Sequence, residues 1–425
     1  MHRSKLYYLL TPLLALMVAP SFAQESLSEF SQPDGFSTPK QHKVGNFQVG
    51  YEHISELDLS DNIDLGPTGD EKNGYRYTGT IQATISGKVS KSDLKGTIGV
   101  QLIDQDDFDV DTHQTSTDLI ANLKLRSAFS QKVTNFLSFK REEEETNDSN
   151  LIYKTKNFST TETNTLSDRI EVGLGSHWKA AFDGGLQRQS YNMTNSRDGI
   201  KRTQEKEKLF DRDNNYILLS LSNQKEKNGN NLYGLFQLTR STGGSVSSEE
   251  LDQDSISFGA GIKRLSGATK YQLELAYGKA TTDSVTGGVS SQDTEDTFFG
   301  QATTEFAISK KSRIYTGVVR SVSVDITTSS AAAVETVPVA HLQTRVTSNV
   351  YTGIRLEYPL IELMGTGIKF ENPNAALNVG YRFSPQLNLE GSVTYQQQSG
   401  NAEADSAGIS DFNETEIKVF LNWMF

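Results

Sequence analysis

The sequence predicts an all-β chain, a transmembrane antiparallel up-and-down β-barrel of about 18 strands. Three observations predict it. The chain opens on a segment built like a secretory signal, its later segments alternate apolar and polar residues with period two, and short connections alternate with long polar ones.

Residues 1–23 form the signal. Arg3 and Lys5 precede an apolar run from Leu6 to Val18, and Ser21-Phe22-Ala23 places small residues where a signal peptidase cuts. Cleavage near Ala23 makes the exported chain more acidic than the −12 of the whole sequence, because the leader holds basic residues and no acidic ones. Residues 24–43, with Pro33, Asp34, Gly35 and Pro39, read as a flexible periplasmic tail, too small to plug a barrel. Residues 44–425 read as the barrel.

Composition excludes several classes. An acidic exported chain without clustered Lys and Arg is a poor nucleic-acid binder. No exported stretch approaches the ~18 uninterrupted apolar residues of a transmembrane helix. The absence of cysteine removes disulfides, thiol catalysis and Cys-ligated zinc together. A hydrophobic content of 35% and a mean hydropathy of −0.49 are low for a large packed core. Yet 16 Tyr, 21 Phe and 34 Gly are not the profile of a disordered chain. Exported, polar on average, aromatic-rich and glycine-rich, the chain is expected in the outer membrane of a Gram-negative bacterium.

A barrel strand shows lipid on one side and the lumen on the other. Residues 75–86 do this, with Tyr75, Tyr77, Gly79, Ile81, Ala83 and Ile85 outward and Arg76, Thr78, Thr80, Gln82, Thr84 and Ser86 inward. The pattern returns in 271–277, 377–383 and 387–395. Helical spacing would scatter these apolar residues around an axis. Tight turns are predicted near 90–93, 129–132, 178–179, 224–229, 265–268, 308–312, 347–350 and 383–386. Long loops are predicted near 55–74, 104–116, 144–166, 191–212, 240–254, 279–296, 325–336, 359–371 and 398–411. Such strict alternation is the mark of short periplasmic turns and longer extracellular loops. It gives eighteen strands with both termini periplasmic; sixteen is the alternative count, because 330–375 is ambiguous. A soluble sandwich or propeller would favour evenly short loops, and would not gather Tyr and Phe near strand ends.

The final strand alternates Ile417, Val419, Leu421, Trp423 and Phe425 with Lys418, Phe420, Asn422 and Met424. Trp423 and the terminal Phe425 look like the signal read by the barrel-assembly machinery, an expected partner beside outer-membrane lipid and lipopolysaccharide.

The expected lumen lining includes Arg76, Gln82, Lys95, Arg126, Glu274, Arg382 and Glu390, with Lys88, Lys124, Lys263, Arg320, Arg355, Glu357 and Lys418 on the same register. Charges are tolerated there because that side is wet or paired. The mixture of amides, hydroxyls and both charge signs suits water and polar solutes, whereas an anion pore would show a one-sided basic ring. Asp104, Asp106, Asp107, Asp109 and Asp111 are candidates for Ca²⁺ or Mg²⁺ ligands. They lack the glycine turn and bidentate glutamate of an EF-hand, and a solvated acidic loop is the commoner reading. Asp58, Asp61, Asp64 and Asp70 are placed in the first loop. Catalysis is not expected. Ser176 and His177 are adjacent in a strand, so they point to opposite faces and cannot easily share a hydrogen bond. No cofactor is called for.

Two regions carry a family likeness. Phe47-Gln48-Val49-Gly50-Tyr51-Glu52 leads into Asp61-Asn62-Ile63, and Leu377-Asn378-Val379-Gly380-Tyr381-Arg382-Phe383-Ser384-Pro385-Gln386-Leu387-Asn388-Leu389 forms a Gly-Tyr-Arg hairpin. Both resemble the β-barrel porin 2 family. That resemblance implies a channel tied to export of extracellular or capsular polysaccharide, with polysaccharide and periplasmic export components as partners; the barrel is read as a monomer. The alternatives are a general diffusion porin, with a loop such as 191–212 folded inward, and a closed structural or adhesive barrel acting through its extracellular loops.

Overall fold

The computed structural model describes residues 42–61, 73–107, 110–148, 157–196, 212–223, 229–243, 250–264, 267–286, 289–323, 333–363, 367–406 and 411–424. The strands begin with β1 (His42–Val44), β2 (Phe47–Ser60), β3 (Gly74–Val89), β4 (Ser92–Asp107), β5 (Val110–Ala128), β6 (Val133–Asp148) and β7 (Asn157–Leu174). They continue through β8 (Trp178–Ser196), β9 (Arg212–Asn223), β10 (Asn231–Gly243), β11 (Glu250–Arg264), β12 (Thr269–Thr286), β13 (Val289–Ala307) and β14 (Ser312–Ser323). Last come β15 (Ala333–Arg345), β16 (Val350–Glu357), β17 (Leu360–Leu363), β18 (Lys369–Glu371), β19 (Asn374–Ser384), β20 (Leu387–Gly400), the helix α1 (Ala402–Ser406) and β21 (Phe412–Met424).

Antiparallel pairing runs around the wall, and β21 closes it on β2, from Glu52 opposite Met424 to Ser60 opposite Glu416. β16 and β17 share one strand position: Glu357 faces Val339 and Leu360 faces Thr336, in one register across Tyr358-Pro359. β18 and β19 share another across Asn372-Pro373. Proline has no N–H to give the ladder, so pairing pauses there. The wall is therefore a closed antiparallel barrel of 18 strands. β1 is an extra piece. It turns back at Gly45, whose φ is +63°, and lies along β2 beside Phe47–Val49. Residues 42 and 43, expected in the tail, are thus strand.

Alternation sets the two faces. Outward Leu275, Ile81 and Phe258 are 63%, 60% and 57% exposed, while inward Gln272, Thr80 and Ser257 are 3%, 1% and 1%. Apolar side chains outward suit a bilayer, and the ladder leaves no strand edge for it to solvate. Outward Tyr277 packs against Phe258 and Phe298, ring centroids 5.7 and 5.2 Å apart, and Tyr381 packs against Phe383 at 4.6 Å.

Several expectations need correction. The turn placed at 178–179 sits at 175–177, because Trp178 already pairs with Leu174. The loops near 104–116, 144–166 and 279–296 are largely strand; of 191–212, residues 191–196 and 212 are strand and 197–211 lie outside the described residues. β4 and β5 run to Asp107 and from Val110, and β12 and β13 run to Thr286 and from Val289. Backbone pairing needs no apolar face, so polar hairpins continue past the membrane belt where side-chain alternation no longer reports them. Arg320 is outward, not luminal: it lies opposite outward Gly300 and donates to Phe298 O at 3.0 Å and Thr336 Oγ1 at 2.9 Å.

Inward tyrosines lie over glycines of the adjacent strand, and Tyr351 over Gly380 is the tightest case. A Cβ on Gly380 would stand 2.1 Å from the Tyr351 ring. Gly380→Ala is therefore expected to destabilise the barrel by about 1–3 kcal/mol through overpacking. The urea-unfolding midpoint of the refolded chain measures it.

Candidate lumen site

The seam between β2 and β21 holds the densest group of inward charges. Alternation on β2 turns Glu52, Ile54, Glu56, Asp58 and Ser60 inward, and on β21 it turns Glu414, Glu416, Lys418, Phe420 and Asn422 inward. The ladder sets Asp58 opposite Lys418 and Ser60 opposite Glu416. Lys418 Nζ consequently lies 3.2 Å from Glu416, 3.3 Å from Asp58 and 3.4 Å from Glu56. Ser60 Oγ donates to Glu414 at 2.5 Å, and Gln396 Nε2 donates to the same carboxylate. Gln82 Nε2 and Asn422 Nδ2 each donate to Glu52 at 2.7 Å.

Four further groups continue around the inner face. Glu357 takes Arg355 Nη2 at 2.6 Å and Asn374 Nδ2 at 3.3 Å, with His341 Nε2 at 3.2 Å. Tyr351 OH donates to Glu390, and Asn378 Nδ2 reaches it at 3.4 Å. Tyr233 OH donates to Glu274 at 2.5 Å, Gln272 Nε2 donates to that hydroxyl at 3.0 Å, and Lys263 Nζ stands 5.4 Å from the Tyr233 ring centroid. Arg169 and Lys179 both hold Glu171. Low polarity around such groups strengthens each contact and makes an unpaired one costly, so carboxylates with close donors persist.

Sign varies along the axis. Glu56, Asp58, Glu414, Glu416 and Glu357 lie toward the end that carries the longer connections. Lys88, Lys95, Lys124 and Arg126 face inward at the short-turn end and are exposed. Lys95 and Lys124 are ladder partners, and Arg126 meets Asp93 at 3.6 Å and lies over the Phe136 ring at 6.0 Å.

The long-loop mouth is narrowed from one side. Inward Leu363, Ile368 and Phe370 cluster with Ala404 of α1. A Cβ on Gly400, which pairs with Phe370, would stand 2.7 Å from the Ala404 Cβ, so α1 folds over the inner face. Asn401 fixes it, accepting from Ala404 N at 3.0 Å as an N-cap and donating to Gly367 O at 2.9 Å.

The register places Arg76, Gln82, Lys95, Arg126, Glu274, Arg382 and Glu390 on the inner face. They do not form one site; they are spread around the wall and along its height. Sequence reading missed Glu52, Glu56, Glu414 and Glu416, and it put Asp58 in a loop. The signal was present, because Leu57, Leu59, Ile417 and Val419 alternate with these acids. Trp423 is outward, opposite His53 and Leu387, and Phe425 lies outside the described residues. Asp104 is in β4, accepting from Tyr75 OH at 3.5 Å. The side chains of Asp106, Asp107, Asp109 and Asp111 lie outside the described residues, as do Asp64, Asp70 and residues 197–211 of the loop expected to fold inward. Among the described residues no three carboxylates or histidines gather as a metal site.

Closure, an apolar outer belt and a polar, ion-paired interior define a transmembrane β-barrel. Neither a protein-family model nor a curated protein matches this chain, so membership of the β-barrel porin 2 family is not shown. Among solved structures it is similar to the outer membrane protein opdK from Pseudomonas aeruginosa, at 8% identity and a TM-score of 0.47 over 89% of this chain and 99% of that one. It is also similar to OccAB4 from Acinetobacter baumannii, at 10% identity and 0.49 over 91% and 99%. The ferric yersiniabactin uptake receptor FyuA from Yersinia pestis matches at 14% and 0.48, over 87% of this chain and 62% of that one. Likeness this distant carries nothing about what crosses this barrel.

Proposed function

We propose that this chain is a diffusion channel for small hydrophilic solutes. The observation that carries the reading is crowding on the inner face: Asn422, Thr80 and Gln272 are between 1% and 3% exposed although they point at the lumen. Side chains packed this closely take up part of the aqueous channel that an 18-stranded wall would otherwise leave. The inward fold of α1 over the mouth acts in the same direction. Polysaccharide export, implied by the family resemblance, needs the wider bore.

Conductance of the refolded chain in a planar bilayer, with polyethylene glycols of graded size, tests this. Modest steady conductance, depressed only by the smallest glycols and indifferent to polysaccharide, is expected. Large conductance blocked by polysaccharide would replace the proposal with a polymer conduit, and silence would mean a closed barrel. The exposed cations at the short-turn end set a second expectation. Replacing Lys95, Lys124 and Arg126 together by Ala shifts the reversal potential toward cation preference, because Asp93 and the carboxylates above it remain. An unmoved potential would take these residues off the conducting path.

A further inference from the structure

We propose that a sloping groove on the lipid-facing wall holds an acyl chain of the phosphorylated glycolipid of the outer leaflet, lipid A. The groove lies on the outside of the barrel, apart from the lumen.

The groove is a concavity of about 880 Å³ crossing β6 to β12. Two ladder rows form it. One runs Leu166, Leu186, Asn215, Arg240, Asp254, Thr281, and the other Leu137, Asp168, Gly184, Ile217, Leu238, Ile256, Lys279. Six strand spacings make it about 29 Å long. Gly184, without a side chain, deepens its floor.

Position along the strands gives the groove two different ends. On β10 the outward residues climb through Leu232, Phe236 and Leu238 to Arg240; on β12 they climb through Tyr271, Leu273, Leu275 and Tyr277 to Lys279. The charged end therefore sits at the upper edge of the apolar belt, on the long-loop side, which faces the outer leaflet. The other end descends along Ile217, Leu186 and Leu166 to Leu137, inside the belt, with Asp168 between Leu137 and Gly184 already accepting from Asn135 Nδ2. A depression in hydrocarbon does not stay empty, because its lining would lose dispersion contacts. A ligand with an apolar chain and an anionic head matches both ends.

The rim favours phosphate. Arg240 Nε stands 3.8 Å from Asp254, and both side chains are 65% exposed, so the guanidinium keeps donors free for a bidentate oxyanion. Lys279 lies on β12, two strands from Arg240 across the strand of Asp254, in the next row. The volume suits a chain-sized ligand.

The test counts lipid retained by the refolded chain after detergent exchange, by native mass spectrometry, from mixed micelles of lipid A or of phosphatidylglycerol. The wild-type chain is expected to keep one lipid A. R240A/K279A and, separately, Gly184→Phe should each cut retention at least about tenfold. A Cβ on Gly184 meets nothing closer than 3.7 Å, so Phe fills the floor without displacing the wall. Arg320→Ala, an outward cation on another part of the wall, should change nothing. Heat-modifiable migration in gels confirms that each variant is folded. Equal retention in all variants would overturn the proposal. Equal retention of phosphatidylglycerol would overturn the choice of lipid A, and a barrel dimer lost in Gly184→Phe would make a second copy the occupant.

Discussion

Lys418→Met is expected to lower barrel stability by about 3–5 kcal/mol, the cost of removing one partner from a buried ionic group. Lys418 is the ammonium at the closing seam, within 3.4 Å of Glu56, Asp58 and Glu416, and it is 8% exposed. Without it, three carboxylates crowd one desolvated patch at the pairing of the first and last wall strands, where closure is decided. Urea unfolding of the refolded chain measures the loss. Adding Glu416→Gln should return part of it, because the repulsion falls with the charge. A change below about 0.5 kcal/mol would mean that water screens the cluster as it does a surface pair.

Leu275→Arg is expected to cost about 2–4 kcal/mol, because its side chain is outward in the middle of the β12 belt and meets hydrocarbon. Asn122→Arg is the control. Asn122 is inward on β5, half-buried between Thr97 and Lys140, and an added charge there enters a polar lumen. It should change stability by less than about 1 kcal/mol while altering ion preference. Equal costs at the two positions would contradict the assignment of faces.

Much of this architecture was legible in the residues, and the reasons are physical. Where lipid and water lie on opposite sides, side chains must alternate, so 75–86, 271–277 and 412–424 disclosed both strand and face. Short turns at 90–91, 129–132 and 308–311 disclosed the connectivity, since a tight reversal has its own chemistry. Legibility failed where a face is not apolar. The polar extensions of β4–β5 and β12–β13 looked like loops because backbone pairing leaves no trace in side chains that meet water on both sides. Asp58 looked like a loop acid because its two outward neighbours are the last apolar residues before the turn. The charge clusters were hidden for another reason. Glu56 and Asp58 meet Lys418 across hundreds of residues, and only closure of β21 on β2 brings them together. Arg320 was misplaced because alternation through 312–323 is weakened by Val318 and Val319, which are apolar on both faces.

The absence of cysteine makes the most direct test simple. Single cysteines at Lys95, inward, and Ile98, outward on the same strand, would be exposed in turn to a water-soluble thiol reagent while current is recorded across the refolded barrel. Modification at position 95 is expected to change the conductance stepwise, and position 98 is expected to be silent. Identical responses at the two positions, or a barrel that passes no current before modification, would contradict a small-solute path through the lumen.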